Sequence, residues 1–314
     1  MYFNDWLDNW LDKFIKPTCK ASTYELYKRL AASKIAPRLG GKELGDLSAS
    51  VLQEFTATLA ECYSPNTVQN VLSIVKSSLR CAEAEGIADS RPASRIRLPR
   101  AAEKKINCLS GEEQARLEMF ASSKRDIKHF GITLSLYTGL RIGELLALKW
   151  TDIDFNRGYI SVNRTCRDSW EGGKYVKLFD TPKTPSSVRL IPVPKQMLPE
   201  LRRYRRHGKS AFVICGDGGE DISVRSYQRT FELLLKRAGI KQRGFHSLRH
   251  TFATRAAEMG MDVKTLSEIM GHTNPTLTLR RYTHSLASHK AEMMDKLGKA
   301  LYRMDCDILQ AGCK

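Results

Sequence analysis

The chain has 314 residues, with 51 Lys and Arg against 34 Asp and Glu, a formal net charge of +17 at pH 7 and 42% hydrophobic residues. These values exclude wholesale disorder, and the length suggests two domains that each have enough apolar residues for a core. No stretch approaches the roughly 20 apolar residues that cross a bilayer, and residues 1–19 are too acidic and Trp-rich for a signal peptide, so we expect a cytoplasmic protein without a membrane partner.

The excess positive charge, most of which follows residue 100, makes a polyanion the leading partner, and nucleic acid is favoured over an acidic membrane. A merely basic protein without a polyanionic partner is the alternative. The 8 cysteines form no C-x-x-C pair, which argues against a zinc ribbon or a disulfide framework and fits reduced thiols.

Residues 1–87 are predicted to form a small helical bundle. Apolar residues between Trp6 and Ile15 recur at helical spacing, and residues 23–32 form a second candidate helix. Ser48 is predicted to cap a third helix, and Ser64 followed by Pro65 is predicted to begin a fourth.

Residues 88–107 are predicted to form an exposed basic linker, because the stretch ADSRPASRIRLPRAAEKK contains two prolines and no periodic apolar face. Its charges either are simply solvated or lie along a phosphate backbone, and the sequence leaves both readings open. The candidate DNA contacts in it are Arg91, Arg95, Arg97, Arg100, Lys104 and Lys105.

The second domain, residues 108–288, is predicted to be mainly helical with one small antiparallel sheet. It begins with a capping box from Ser110 to Glu113, followed by an apolar segment at 130–137. Strand-like segments occur at 159–163, 175–179 and 188–193. Helical patterns occur at 196–206, 223–238, 247–258, 262–270 and from 276 onward. The expected fold class is therefore mainly α with a small antiparallel β-sheet.

Two motifs in this domain place arginines on helices beside acidic or imidazole side chains. Arg141 follows a glycine turn in T-G-L-R-I-G-E, with Glu144 one helical turn later, and His246 and Arg249 share one helical face in H-S-L-R-H. Alone, an arginine at a helix start is more often a cap or a surface ion pair. His246 and His250 have metal-ligand spacing, but no carboxylate joins them, so no metal site is predicted.

A third motif, G-H-T-N-P, contains His272, and Tyr282 follows ten residues later. Lys183 lies between the first two motifs, on the turn of a predicted hairpin. A histidine beside a glycine is more often structural, and a tyrosine at helical spacing is usually a half-buried core residue. The presence of all these residues together, in this order, favours one shared site.

With these motifs in this order, the sequence resembles the tyrosine recombinases, or phage-type integrases. Their pattern is T-G-x-R-x-x-E, a hairpin lysine, H-x-x-R, then G-H and a tyrosine about ten residues later. The resemblance covers nearly the whole chain, and S-P-N-T-V-Q-N-V-L-S-I-V-K-S-S-L in the N-terminal bundle is similar to the family's core-type DNA-binding domain. The implied catalytic residues are Arg141, Lys183, His246, Arg249, His272 and Tyr282.

Two departures from the family's pattern are visible. Ser90-Arg91-Pro92 stands where relatives often have Asn-Pro, which affects no catalytic position. Many relatives also have an extra N-terminal domain that reads distant arm sites, whereas here the core-binding segment begins near residue 1. We expect either that this member lacks the domain or that the chain is trimmed.

The resemblance implies a 3′-phosphotyrosine intermediate on Tyr282. Two arginines suit the stabilisation of charge on phosphorus, because their planar forks stay charged and donate paired hydrogen bonds. Lys183 is expected to protonate the leaving 5′ oxygen, His246 to accept the tyrosine proton and His272 to donate to a phosphate oxygen. Glu144 would orient Arg141 or a histidine. No metal, ATP or other cofactor is expected.

The implied function is site-specific recombination that integrates or excises a mobile element. The expected partners are double-stranded DNA at core sites, further copies of this chain in a tetramer, and an accessory excision factor, in a bacterial cytoplasm and associated with the nucleoid. Residues 289–314 are expected to form a helical tail that packs either on its own domain or on a neighbouring protomer. The competing functions are a type IB topoisomerase and a catalytically inactive DNA-binding regulator.

Overall fold

The computed structural model of the protein describes residues 1–97, 108–171, 174–180, 188–208, 210–271 and Met294. The chain divides into two units, Met1–Lys104 and Lys105–Lys314, and the division falls inside residues 88–107. Each unit has its own hydrophobic core. Within the described ranges, no helix is both long and apolar enough to cross a membrane.

The described secondary structure of the first unit is helical, apart from an isolated antiparallel bridge between Tyr2 and Glu43. Two of its helices contain a π-helical turn, Leu11–Ile15 after α1 and Ala31–Ile35 after α3, and a 3₁₀ turn spans Leu44–Asp46. The α-helices are α1 (Phe3–Trp10), α2 (Lys16–Thr18), α3 (Ala21–Leu30), α4 (Ala36–Leu39), α5 (Ala49–Cys62), α6 (Pro65–Ala84) and α7 (Arg91–Ser94).

The predicted helix starts in this unit are confirmed by their caps. The hydroxyl of Ser48 accepts a hydrogen bond from the backbone of α5, and that of Ser64 accepts one from α6, whose first residue is Pro65. Trp6 is 1% exposed, and its indole nitrogen donates to the carbonyl oxygen of Ser78 at 3.1 Å. This bond ties α1 to α6 and gives a buried indole the partner it requires.

The expectation that residues 88–107 are exposed throughout is wrong for part of the segment. Residues 91–94 form the short helix α7, and Ala93 and Ile96 are buried in the core of the first unit. The amide side chain of Gln53 also exchanges two hydrogen bonds with the backbone of Arg97. The segment therefore begins as a packed extension of the bundle.

The described part of the second unit contains seven α-helices and five strands. The helices are α8 (Gly111–Ser123), α9 (Ile127–Thr138), α10 (Ile142–Ala147), α11 (Leu198–His207), α12 (Val224–Arg237), α13 (His246–Glu258) and α14 (Val263–Met270). The strands are β1 (Ile153–Asp154), β2 (Tyr159–Val162), β3 (Thr165–Glu171), β4 (Lys174–Asp180) and β5 (Arg189–Pro192). The helix expected from residue 276 onward lies outside the described residues.

The strands of the described residues form two antiparallel sheets, whereas one sheet was predicted. One sheet has the order β1-β2-β5, and the other pairs β3 with β4. β4 and β5 belong to different sheets and do not pair with each other, whereas the sequence predicted a hairpin around Lys183. Lys183 itself lies outside the described residues. The overall class, mainly α with small antiparallel sheets, is as predicted.

A glycine ends α9 and sets the direction in which the chain enters α10. Gly139 has a φ of 67°, and a Cβ there would lie 2.7 Å from Cδ1 of Phe252. Both the left-handed backbone and this close approach require glycine. After this turn, Arg141 has extended backbone and immediately precedes α10.

We predict that Gly143→Ala destabilises the second unit. A Cβ at Gly143 would lie 2.5 Å from the carbonyl oxygen of Cys166 and 2.6 Å from Oγ1 of Thr165, so α10 must move away from β3. We expect a loss of about 1–3 kcal/mol in the free energy of unfolding, measured by urea titration of the full chain.

Gly111→Ala is the matched control. A Cβ at Gly111, the first residue of α8, would meet no atom closer than 4.0 Å, so alanine there should add about 0.4–1 kcal/mol by restricting the unfolded chain. Equal stability changes in the two variants would contradict the close contact between α10 and β3.

Candidate active site

The described residues contain half of the six positions predicted to be catalytic, namely Arg141, His246 and Arg249. The other half lies outside the described residues, namely Lys183, His272 and Tyr282. Two of the three placed residues converge on one point of the fold. That point is the α14 terminus, which we define as Ile269, Met270 and Gly271.

Arg249, on α13, is 1% exposed. Its Nη1 donates to the carbonyl oxygen of Gly139 at 2.7 Å, and its Nη2 donates to that of Met270. Gly139 caps α9 and Met270 is the last residue of α14, so the ends of two helices, each with partial negative charge, contact this guanidinium. These contacts compensate for the burial of the positive charge and fix the plane of the guanidinium.

Arg141 contacts the same α14 terminus, but its side chain is 35% exposed. Its Nη2 donates to the carbonyl oxygen of Gly271 at 3.2 Å, and its Nη1 donates to Oε1 of Glu144 at 2.7 Å. Arg141 and Arg249 lie 108 positions apart in the sequence. Their guanidiniums nevertheless bind adjacent carbonyls of one turn. Arg141 is the member of this pair that solvent reaches.

Glu144 is a buried carboxylate held by two arginines. Its oxygens accept a backbone hydrogen bond and a side-chain hydrogen bond from Arg141, and two further hydrogen bonds at 3.0 and 2.9 Å from Arg189. Burial alone would raise the pKa of Glu144, but the hydrogen bonds and charge of Arg189, with the charge of Arg141, outweigh it and lower the pKa to about 2. Glu144 is therefore ionised at neutral pH.

Arg189, the second arginine that binds Glu144, was not identified from the sequence. It begins β5, its side chain is 5% exposed, and its Nε donates to the carbonyl oxygen of Ile269 at 2.6 Å. It lies on the same strand face as the buried Ile191, whereas Leu190 points outward and is 62% exposed. The sequence offered one signal for it, a basic residue within a predicted strand.

The imidazoles of α13 lie next to each other. His246 is the first residue of the helix and is exposed, and its ring packs edge-on against that of His250 with centroids 4.6 Å apart. Among the described residues, no group of three His, Cys, Asp or Glu side chains could hold a metal ion.

A second buried basic residue that sequence reasoning missed anchors β4, the strand before the Lys183 segment. Lys177 has a side chain that is 6% exposed, and its Nζ donates to the carbonyl oxygen of Leu146 at 2.9 Å. The ammonium also lies 5.2 Å and 4.8 Å from the ring centroids of Phe179 and Phe212, which stack on each other. This residue fixes β4 to α10, the helix that contains Glu144.

Three of the predicted DNA contacts lie in the first unit with exposed side chains: Arg91, Arg95 and Arg97. Arg91 forms a surface ion pair with Asp89 at 2.8 Å, a contact that contributes little to stability. The remaining predicted contacts, Arg100, Lys104 and Lys105, lie outside the described residues.

The cluster around the α14 terminus has an excess of positive charge. Arg141, Arg189 and Arg249 contribute three positive charges and Glu144 one negative charge, so two positive charges remain. Such a preorganised positive site can bind a phosphodiester and stabilise the second negative charge that develops on phosphorus during nucleophilic attack.

Comparison with known proteins defines the class. The phage integrase family matches residues 109–289, and the N-terminal SAM-like domain of phage integrases matches residues 2–60. The chain is 29% identical to a XerC-like tyrosine recombinase of Caldanaerobacter subterraneus, over 93% of this chain and 82% of that protein, and 25% identical to the ICEBs1 integrase of Bacillus subtilis, over 90% and 79%. The chain belongs to the phage integrase family and is a tyrosine-type site-specific recombinase.

Solved structures agree with this assignment. The integrase of transposon Tn1549, in complex with a circular intermediate DNA, superposes with a TM-score of 0.82 and 26% identity, covering 95% of this chain and 99% of that one. A lambda integrase dimer bound to a core site has the same fold, with a TM-score of 0.71 and 20% identity over 90% and 95% of the two chains. The predicted fold class and family are therefore confirmed.

We predict that Glu144→Gln lowers stability most at neutral pH. Because the folded-state pKa of Glu144 is depressed from 4.5 to about 2, its ionisation stabilises the fold above pH 4.5, and this contribution is lost as pH falls toward 2. The difference in free energy of unfolding between wild type and Glu144→Gln, measured by urea titration at several pH values, should therefore shrink across this range.

Glu112→Gln serves as the control, because Glu112 is an exposed carboxylate on α8. We expect it to remain close to wild type at every pH. A constant deficit for Glu144→Gln from neutral pH to pH 2 would show that its charge is not what the arginines stabilise.

Proposed function

We propose that this recombinase integrates and excises a mobile element by cutting DNA through a 3′-phosphotyrosine on Tyr282. The observation that carries the proposal is the convergence of Arg141 and Arg249 on the α14 terminus. It is supported by two relatives that are named as integrases, the integrase of the transposon Tn1549 and the ICEBs1 integrase.

The proposed reaction is a transesterification. The phenolic oxygen of Tyr282 forms a bond to phosphorus while the bond from phosphorus to the 5′ oxygen breaks. His246 accepts the phenolic proton, and Lys183 donates a proton to the leaving oxygen. An incoming 5′-hydroxyl reverses these steps, so the ester conserves the bond energy and no nucleotide hydrolysis is needed. The roles of Tyr282, His246 and Lys183 follow the family resemblance.

In this reaction, Arg141 and Arg249 bind the non-bridging oxygens, and His272 donates a further hydrogen bond. A phosphodiester attacked by a phenolate develops two negative charges, which match the two uncompensated positive charges of the cluster. Removing one preorganised donor of this kind typically costs about 10²–10³ in rate. The guanidiniums thereby neutralise charge that a metal ion neutralises in many nucleases.

Tyr227 is a poor alternative to Tyr282 as the nucleophile. Its side chain is fully buried, and its hydroxyl donates to the carbonyl oxygen of Lys128 at 2.7 Å. Burial raises the pKa of Tyr227 well above its usual value of 10.0, which opposes formation of the attacking phenolate. Tyr302, the other alternative, lies outside the described residues.

We further propose that the first unit binds core-site DNA, with Arg91, Arg95 and Arg97 among its phosphate contacts. Exchange between two duplexes requires four strand cuts, so four copies of the chain would act together, in the bacterial cytoplasm at the nucleoid. Because the ester conserves energy in both directions, an accessory factor would set the preference between integration and excision.

We predict that Tyr282→Phe abolishes the covalent protein–DNA adduct and leaves DNA binding unchanged, since only the attacking oxygen is removed. The substrate is a duplex of the joined ends of the element, nicked so that the short 5′-hydroxyl product diffuses away. Adduct formation is measured by denaturing electrophoresis and binding by gel shift.

Tyr302→Phe is the matched control and should form the adduct at the wild-type rate. Persistence of the adduct in Tyr282→Phe would mean that another tyrosine is the nucleophile. With two differently labelled intact duplexes, wild type should yield exchanged products. Nicking and resealing without exchange would favour a topoisomerase, and binding without any adduct would favour a regulator.

A further inference from the structure

Three arginines bind three consecutive carbonyls at the α14 terminus. Arg189 donates to Ile269, Arg249 to Met270 and Arg141 to Gly271. The last carbonyls of a helix have no partner within the helix, and cations are favourable beside them. The position of this turn in the second unit is therefore fixed by guanidiniums from β5, α13 and the start of α10.

Arg189 differs from the other two arginines in what it can reach. Its side chain is 5% exposed, compared with 35% for Arg141, and both of its terminal nitrogens bind Glu144. Its Nε is engaged by Ile269. Arg189 is therefore oriented toward protein groups, and any effect on DNA must act through them.

Glu144 links Arg189 to Arg141. The two arginines share one carboxylate, so Arg189 supplies much of the compensating charge, and Arg141 contacts it with a single terminal nitrogen. Without Arg189, Arg141 would be the only described cation beside a buried carboxylate and would be drawn toward it. The guanidinium that solvent reaches would then be less available to a phosphate.

We propose that Arg189 is a positioning residue for strand cleavage, which holds the Glu144 carboxylate and the Ile269 carbonyl so that Arg141 faces the scissile phosphate. This inference rests on the proposed function. His272 directly follows Gly271 in the sequence, so a shift of the α14 terminus would also displace the backbone that leads into it.

The test compares Arg189→Met and Arg189→Lys with wild type in single-turnover cleavage of the nicked duplex. We expect Arg189→Met to cleave about 10²-fold more slowly, the scale of loss that a misplacement of about 1 Å causes, with unchanged affinity for DNA. Arg189→Lys should recover part of the rate, because lysine keeps the charge but loses the two-pronged contact.

Arg164→Met is the matched structural control. Two guanidinium nitrogens of Arg164 bind the two carboxylate oxygens of the buried Asp152, at 2.8 and 3.2 Å, as those of Arg189 bind Glu144. Arg164 does not contact the α14 terminus in the described structure. We expect it to lower the thermal midpoint about as much as Arg189→Met while cleaving at the wild-type rate. The comparison separates a loss of stability from a loss of positioning.

The pH dependence gives a readout that a purely structural role would not change. In the described residues, the charged groups that face Glu144 are Arg141, from the start of its own helix, and Arg189, from β5. Without Arg189, Glu144 should take up a proton in mildly acidic solution. The rate deficit of Arg189→Met relative to wild type should then shrink between about pH 8 and about pH 5, because a protonated Glu144 no longer draws Arg141 away from the phosphate. The Arg189→Met/Glu144→Gln double variant should lack this dependence.

The outcomes separate this inference from the proposed function. Suppose that wild type forms the adduct. If Arg189→Met cleaves at the wild-type rate, or if the Arg189 variants and Arg164→Met lose cleavage rate to the same extent, this inference is wrong and the proposed function stands. If wild type forms no adduct, the proposed function fails and the inference with it. Should Arg189→Met not fold, Arg189→Lys decides by its cleavage rate at unchanged affinity.

Discussion

The ion cluster centred on Glu144 is the interaction on which the arrangement of the site depends. A buried carboxylate is tolerated only when its charge and its hydrogen-bonding capacity are both satisfied, and removing one partner typically costs about 3–5 kcal/mol. Here the partners come from two distant parts of the second unit, Arg141 at the start of α10 and Arg189 at the start of β5. Satisfying one carboxylate therefore brings a sheet, a helix start and the α14 terminus into a fixed relationship.

Helix ends provide the other half of the arrangement. The cap of α9 and the last residue of α14 both present carbonyls to the buried guanidinium of Arg249, so partial charges of the backbone offset a positive charge that would otherwise be costly to bury. The fold thus accommodates more arginines than carboxylates without exposing all of them. The excess positive charge is preorganised, which is the property that stabilises charge on a reacting phosphate without reorganisation during the reaction.

Local features were predictable from the sequence, and non-local pairings were not. The caps at Ser48 and Ser110 were predicted because side chain and backbone lie within three residues of each other. The separation into two sheets was missed because the sequence pattern does not specify which strands pair. Arg189 was missed because hydropathy gives no reason to bury an arginine beside an exposed Leu190, and its partners lie 45 and 80 residues away. The motif arginines could be identified, but not the residue that holds them.

The most direct test of the account is a structure of the recombinase bound to a duplex of the joined element ends, trapped before cleavage. We expect the non-bridging oxygens of one phosphate to lie within hydrogen-bonding distance, about 3 Å, of guanidinium nitrogens of both Arg141 and Arg249, with Arg189 still bound to Glu144. A scissile phosphate bound elsewhere, with these guanidiniums still engaged only by protein groups, would contradict it.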